Sequence, residues 1–324
     1  MKDEALLRVE NLKKYFLVEK KFNKRENVFL KAIDGVSFEL HRNEVLGLVG
    51  ESGSGKSTVA YNIIGMYVPT GGNIFYGNKC INGKSEKRPL AVKRDLQIVF
   101  QDPSTSLNPR RNIRYILERP LKVHRITDKK SIRKRVIGLL RMVELPEDYL
   151  YKYPPHIGGG ERQLVSIARA LATDPKLIIL DEPTSALDVS IQGKIINTLI
   201  NLRKTLSLSY LFITHDLSLM RNVADRVVIM YLGRICEVAR TKDFFENPAH
   251  PYTMMLLSSI PVISIEEERV KPKKIKSRGE IPSPVNLPTG CRFNTRCTQA
   301  KDICFECEPE LREVAPDHWV SCHF

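Results

Sequence analysis

Residues 50–57 read Gly50-Glu51-Ser52-Gly53-Ser54-Gly55-Lys56-Ser57, which satisfies G-x-x-x-x-G-K-[ST]. Few patterns restrict a fold so tightly. The glycines let the backbone curl until its N–H groups converge on phosphate oxygens, which requires a buried strand entering the loop and a helix leaving it. Both flanks are present: residues 44–49 are a short, mainly apolar run, and residues 58–66 have helical character. Lys56 is placed to neutralise β- and γ-phosphate oxygens, Ser57 to ligate Mg²⁺, and Thr58 to donate near the α-phosphate.

The second signal is Leu177-Ile178-Ile179-Leu180-Asp181-Glu182, an apolar strand that delivers two carboxylates into a site. Asp181 is expected to hold Mg²⁺ through its water shell, and Glu182 to orient or deprotonate an attacking water. Further strands are expected at 5–12, 36–40, 73–76, 96–100, 176–180 and 210–213. Residues 227–230 and 234–238 read as a hairpin around Leu232-Gly233. Between residues 102 and 160 the character is helical and broken by prolines, with 131–143 the clearest helix.

The 324 residues exceed the usual length of a single domain, so a large α/β domain with a smaller appendage is expected. No apolar run approaches the roughly 20 residues of a membrane span, and residues 1–10 mix acids and bases without the apolar stretch of a signal peptide. The reading is a chain made and kept in the cytosol that meets a membrane only through another protein. The formal charge of +14 gathers at 20–25, 129–135 and 271–278, where solvated faces or contact with anionic headgroups explain it. No nucleic-acid-binding module accompanies the charge, so no nucleic-acid partner is expected.

Four more motifs fall in the order of an ABC transporter ATPase, and the chain resembles that family. Gln101 looks like the Q-loop glutamine that touches Mg²⁺ and senses the membrane subunit. Ile157-Gly158-Gly159-Gly160-Glu161 resembles the LSGGQ signature, with Gly158 where the family has serine. Ser185-Ala186-Leu187-Asp188 resembles the D-loop, with Asp188 lining the nucleotide. His215, in Thr214-His215-Asp216, resembles the switch histidine. Phe16, beside Tyr15, matches the aromatic that stacks on adenine, a core aromatic being the other reading. The resemblance implies a P-loop NTPase of ABC type: a mixed sheet core, an antiparallel β subdomain and a helical subdomain. It further implies a head-to-tail pair in which each signature caps the ATP on the other's loop.

With Gln101-Asp102-Pro103-Ser104-Thr105-Ser106-Leu107-Asn108-Pro109-Arg110, the segment 186–192 and His250-Pro251-Tyr252-Thr253, the resemblance is closer still to the ATPase subunits of oligopeptide and dipeptide importers. The long stretch between Phe16 and Ala32, with Arg110 after Asn108-Pro109, looks more like the second (F-type) of their two ATPases. The resemblance implies an ATPase domain over 1–247, with a helical subdomain over about 102–165, and an extension over 248–324. The partners it implies are a second ATPase subunit in a heterodimer, two permease subunits and, indirectly, an extracytoplasmic solute-binding protein. The chain would then sit peripherally on the cytoplasmic side of the cell membrane. Residues 101–143 are expected to receive the permease, with Leu107 as a contact. Importers of oligosaccharides or nickel, and non-transport ABC ATPases, remain alternatives.

Seven cysteines in such a chain argue against structural disulfides. Cys80 and Cys236 stand alone in sequence, whereas Cys291, Cys297, Cys304, Cys307 and Cys322 crowd the tail. The spacing of Cys291, Cys297, Cys304 and Cys322 suits an iron–sulfur cluster better than the paired ligands of a zinc ribbon. The importer resemblance implies a [4Fe–4S] cluster in some members; zinc or free thiols are the alternatives, and Cys307 is a spare that could replace Cys304. The cluster is expected to lie in the tail outside the ATP core, as a structural staple, so that Cys297→Ser would lose iron and loosen the tail with little direct effect on nucleotide affinity.

Overall fold

A computed structural model describes residues 4–20, 27–128, 130–185, 187–260, 275 and 279–324. Residues 21–25, Lys129, Ala186, Pro261, Pro272 and most of 271–278 lie outside these. The described residues form two compact units, one from 1–41, 45–84 and 214–324, the other from 42–44 and 85–213.

The first unit opens with β1 (Leu7–Glu19), β2 (Val28–Leu40), β3 (Val45–Val49), α1 (Lys56–Ile64), β4 (Gly71–Tyr76) and β5 (Lys79–Cys80). β2, β1, β4 and β5 make an antiparallel sheet in that order. The strands expected at 5–12 and 36–40 are the inner ends of β1 and β2, each 13 residues long. Their outer halves escape a period-two reading because the β1–β2 register shifts four times between Val9 and Glu19. In β3 every residue is buried, and burial on both faces explains an unbroken apolar run without alternation.

The second unit holds α2 (Leu90–Asp95), β6 (Leu96–Val99), α3 (Pro103–Ser106), α4 (Ile113–Val123), α5 (Ile132–Met142), α6 (Gly159–Leu171), β7 (Leu177–Asp181), α7 (Val189–Leu206) and β8 (Ser209–Thr214). β8, β7 and β6 are parallel neighbours in that order. The side chain of Asn112 starts α4 by accepting from Tyr115 N–H at 3.0 Å. α5 buries Ile132, Val136, Leu139 and Leu140, the spacing of one helical face. Arg169 Nη1 of α6 donates to Ser106 O at 2.6 Å, fixing α3 against α6.

Back in the first unit come α8 (Leu217–Val223), β9 (Arg226–Tyr231), β10 (Arg234–Arg240), α9 (Thr241–Glu246), α10 (Pro251–Ser258), α11 (Ile303–Glu306), β11 (Arg312–Ala315) and β12 (His318–Val320). The strands run β11-β12-β10-β9-β3, with β3 parallel to β9 and the other pairs antiparallel. The hairpin at Leu232-Gly233 is as expected. The β11–β12 hairpin was not foreseen, because all four residues of β11 are exposed and give no apolar period. It is tied down by Glu237 of β10, which is fully buried. That carboxylate accepts from Ala249 N–H at 3.0 Å, His250 N–H at 2.9 Å and the His318 ring at 2.7 Å. Burial pushes His250 down to about 4, so its ring is neutral, and its Nδ1 accepts from Tyr252 N–H at 3.0 Å. Among the described residues no helix is long and apolar enough to cross a membrane.

Candidate nucleotide and thiol sites

The phosphate loop joins β3 to α1, as its spacing requires. Gly55 is the N-cap of α1 at φ 102°, and a Cβ there would meet Ala32 O at 2.2 Å. A Cβ on Gly50 would meet Met230 O at the same distance, so the loop is pressed against two neighbouring strands. Lys56 is 4% exposed, with Nζ donating to Gly50 O at 2.8 Å and Glu51 O at 2.9 Å. Ser54 O accepts from Gly233 N–H at 3.0 Å, so the β9–β10 turn braces the loop from below. Ser52 and Gly53 are exposed at its crest, and Ser57 and Thr58 are half-buried on the first turn of α1.

Tyr15 and Phe16 separate in role. The Tyr15 hydroxyl donates to Asp34, which also pairs with Arg292 and, at 3.5 Å, Arg234. Burial and this carboxylate raise Tyr15 to about 12. Phe16 is half-exposed, meets Tyr67 edge-on at 5.3 Å, and has Lys14 Nζ 5.0 Å from its ring centre. Both rings are partly exposed, and Tyr15 alone is tied into the Asp34 cluster through its hydroxyl.

In the second unit Asp181 ends β7 fully buried, and Glu182 follows at φ 46°, a left-handed pose unusual for a non-glycine residue. Glu182 N–H donates to Ile213 O at 3.0 Å, and its carbonyl accepts from Ser185 Oγ at 3.0 Å. Gln101, just past β6, donates through Nε2 to Glu182 Oε2 at 3.0 Å. Two of the expected catalytic groups are therefore in direct contact. His215 is exposed at the end of β8, next to Asp216, which caps α8.

Gly158 is the N-cap of α6, followed by Gly159 and Gly160. Glu161 reaches back to Gly158 N–H at 2.7 Å and accepts from the Tyr149 hydroxyl, contacts that hold its carboxyl below the usual range. A Cβ on Gly160 would lie 2.3 Å from Ile191 Cγ2, so that position has room for hydrogen alone. Asp188 is the exposed N-cap of α7, and Gln192 shapes the turn before it by donating to Leu187 O at 2.9 Å. Leu107 is 1% exposed, so the expected docking contact is corrected: Thr105, Arg110 and Arg111 form the open surface of that segment.

The tail cysteines converge. Cys291 lies within electrostatic reach of Cys297, Cys304 and Cys322, and burial pushes its thiol up to about 11. Cys291 N–H donates to Cys304 O at 2.8 Å. Cys304 is buried and Cys307 exposed, which favours Cys304 in the set of four. Cys236 does not stand alone: it is buried beside Cys291 and Cys322, brought there by β12 pairing with β10. Among the described residues no three His, Cys, Asp or Glu side chains are close enough to hold a single metal ion.

Two residues beside the loop escaped sequence reasoning. The Glu51 carboxylate is held by Arg296, and Glu51 N–H donates to the Tyr252 hydroxyl at 3.0 Å. The expectation of a tail remote from the ATP core is thereby corrected. An arginine in a cationic tail reads as solvated, and only the fold reveals its partner.

Comparison with known proteins bears on both sites. The family model described as ABC transporter matches residues 33–185, and that described as oligopeptide/dipeptide transporter, C-terminal region, matches residues 236–304. The chain is 46% identical over 321 residues to the oligopeptide transport ATP-binding protein AppF of Bacillus subtilis, covering 99% of this chain and 97% of that one. It is 43% identical to the dipeptide transport ATP-binding protein DppF of Haemophilus influenzae, covering 98% and 96%. Its structure is similar to that of CbiO1 from Clostridium perfringens, part of an ABC transporter complex, with TM-score 0.64, 28% identity and coverage of 76% and 92%. It is also similar to an ATP-binding cassette solved as a dimer in a post-hydrolysis state with ADP and Pi, with TM-score 0.63, 27% identity and coverage of 72% and 98%.

Proposed function

The chain belongs to the ATP-binding subunits of ABC transporters, in their oligopeptide and dipeptide branch, and on that premise we propose that it powers peptide import across a membrane. As a member of this family it is an ATPase that works with Mg²⁺. The observation that carries the peptide reading is that similarity to peptide-transport subunits runs the length of the chain, tail included.

The residue roles follow from chemistry and position. The loop Gly50 to Ser57 cradles the phosphates, Lys56 neutralises them, Thr58 donates near the α-phosphate, and Phe16 stacks on adenine. Ser57, Gln101 and Asp181 would hold Mg²⁺, which supplies positive charge against the phosphates when bound. Glu182 orients or deprotonates the attacking water. Its bond to Gln101 supports a coupled pair in which the Q-loop holds the base until the membrane subunit moves it. His215 acts as the switch. Gly158, Gly159 and Gly160 open α6, whose N-terminus favours an anion, and with Asp188 they meet the nucleotide of a second subunit.

That second subunit is a different ATPase, giving a heterodimer on two permease subunits served by a solute-binding protein, at the cytoplasmic side of the membrane. An ATPase domain spans 1–247, with its helical subdomain over about 102–165, and an extension spans 248–324; the two separate family matches support a two-part chain without fixing that boundary. Cys291, Cys297, Cys304 and Cys322 would hold a [4Fe–4S] cluster, a reading supported by the three thiols within electrostatic reach of Cys291.

Glu182→Gln in the assembled transporter tests the central assignment. ATP binding persists, turnover at this loop is lost, and an ATP-bound dimer accumulates. Unchanged turnover at this site refutes the role of Glu182.

A further inference from the structure

Glu51 is the second residue of the phosphate loop, and its carboxylate stands beside the place where a triphosphate must sit. Left bare, that charge opposes the ligand. The extension answers it. Arg296 Nη1 donates to Glu51 Oε2 at 2.7 Å and Nη2 to Oε1 at 3.1 Å, a two-pronged contact that fixes the carboxylate in orientation as well as charge. The arginine is only 7% exposed. Its guanidinium lies 5.7 Å from the Tyr231 ring and 5.8 Å from the Phe293 ring, and Nη1 is 3.4 Å from the Tyr231 hydroxyl. Tyr252 of α10 takes the other end of the same residue by accepting from Glu51 N–H.

These two handles on Glu51, beside the loop's own contacts through Lys56 and Ser54, come from beyond residue 247, and Arg296 adjoins Cys297. A pair serving only to fasten the tail has no need to grip the phosphate loop, where few partners are available and ordering matters most. Holding the loop in its curled form before ATP arrives removes an entropy cost from binding.

We propose that Arg296 and Tyr252 are positioning residues for ATP: they neutralise and orient Glu51, so that the thiol-bearing extension sets the affinity of the phosphate loop. The proposal rests on the ATPase reading above.

The test titrates the full-length chain with Mg-ATP, following displacement of a fluorescent trinitrophenyl-ATP probe, alongside steady-state hydrolysis and thermal melting. Arg296→Met is expected to weaken ATP binding by about tenfold to a hundredfold, the equivalent of one hydrogen-bonded charge. The KM for ATP rises while kcat at saturation changes little, the pattern of lost uniform binding. Arg296→Lys recovers part of the affinity, since lysine supplies charge without the fork. Glu51→Gln added to Arg296→Met recovers affinity by removing the bare carboxylate. Tyr252→Phe costs about two- to tenfold. Arg240→Ala, which breaks an exposed pair with Asp317 on the β11–β12 turn, binds ATP as wild type does. If Arg296→Met melts earlier yet binds ATP with wild-type affinity where it is folded, the pair is a fastening only and the proposal is wrong. Should Arg296→Met fail to fold, wild-type affinity in both Arg296→Lys and Tyr252→Phe overturns it equally. Failure of the wild-type chain to bind ATP would instead strike the ATPase reading.

Discussion

Gly158→Ser restores the residue that the signature of this family usually carries, and the geometry of α6 fixes what the change can do. Gly158 sits at φ −64° and ψ 165°, a conformation open to any residue. An added Cβ meets only the Glu161 carboxyl, Oε2 at 3.5 Å and Cδ at 3.9 Å, an ordinary contact. Serine and glycine differ by a few tenths of a kcal/mol at an N-cap, so folding stability hardly changes. A hydroxyl donating to a phosphate oxygen is worth about 1.5–3 kcal/mol, or about ten- to a hundredfold in rate if it acts in the transition state. On the head-to-tail pairing proposed above, the gain falls on the partner's nucleotide. Single-turnover hydrolysis in the assembled transporter, resolved for each site, is the assay. Wild type is expected to show one fast and one slow site, and Gly158→Ser to speed the slow one. Gly160→Ser is the steric control: its Cβ would lie 2.3 Å from Ile191 Cγ2, and overpacking of this kind costs about 1–3 kcal/mol. Equal rates at the two sites, before and after Gly158→Ser, would refute the reasoning and show that backbone N–H groups and water suffice.

Asp34 offers a pH test: burial alone would raise its carboxyl, but the Tyr15 hydroxyl, Arg234 and Arg292 outweigh burial and hold it below 3.8. Its stabilising contribution is therefore full above the unfolded value and lost as pH falls through the folded one. Asp34→Asn should cost about 1.5–3 kcal/mol at neutral pH by leaving Arg292 with Glu308 alone, at 3.6 Å, and should lose less further stability than wild type on acidification, as measured by urea unfolding. For the thiols, anaerobically purified protein should be brown and bleach in air, and Cys297→Ser should lose iron. Because Cys297 follows Arg296, loss of iron should also weaken ATP binding. Stoichiometric zinc without iron would refute the cluster.

Much of the nucleotide site is legible in the sequence because phosphate binding imposes strict local demands. Gly50 to Ser57, the buried strand before it and the acidic end of β7 each declare themselves within a few residues. The same locality explains what stayed hidden. The contact of Gln101 with Glu182 spans 81 residues, and that of Arg296 with Glu51 spans 245. Cys236 gains its thiol neighbours only because β12, a three-residue strand, pairs with β10. The resemblance of its segment makes Leu107 an expected contact, yet an apolar side chain among polar neighbours is what the fold buries.

The β11–β12 hairpin has a consequence for solubility that is separate from catalysis. Without it the backbone of β10 would offer unpaired N–H and C=O groups along Glu237 and Val238, a template for strand addition by another chain. β12 occupies that template, and the rim then falls to β11, four residues long and bearing Arg312 and Glu313. A short, charged rim is a poor seed for self-association. The hairpin thus works as a hem on the sheet, and cutting the chain ahead of it for crystallisation or tagging would trade a modest loss of length for a sticky margin.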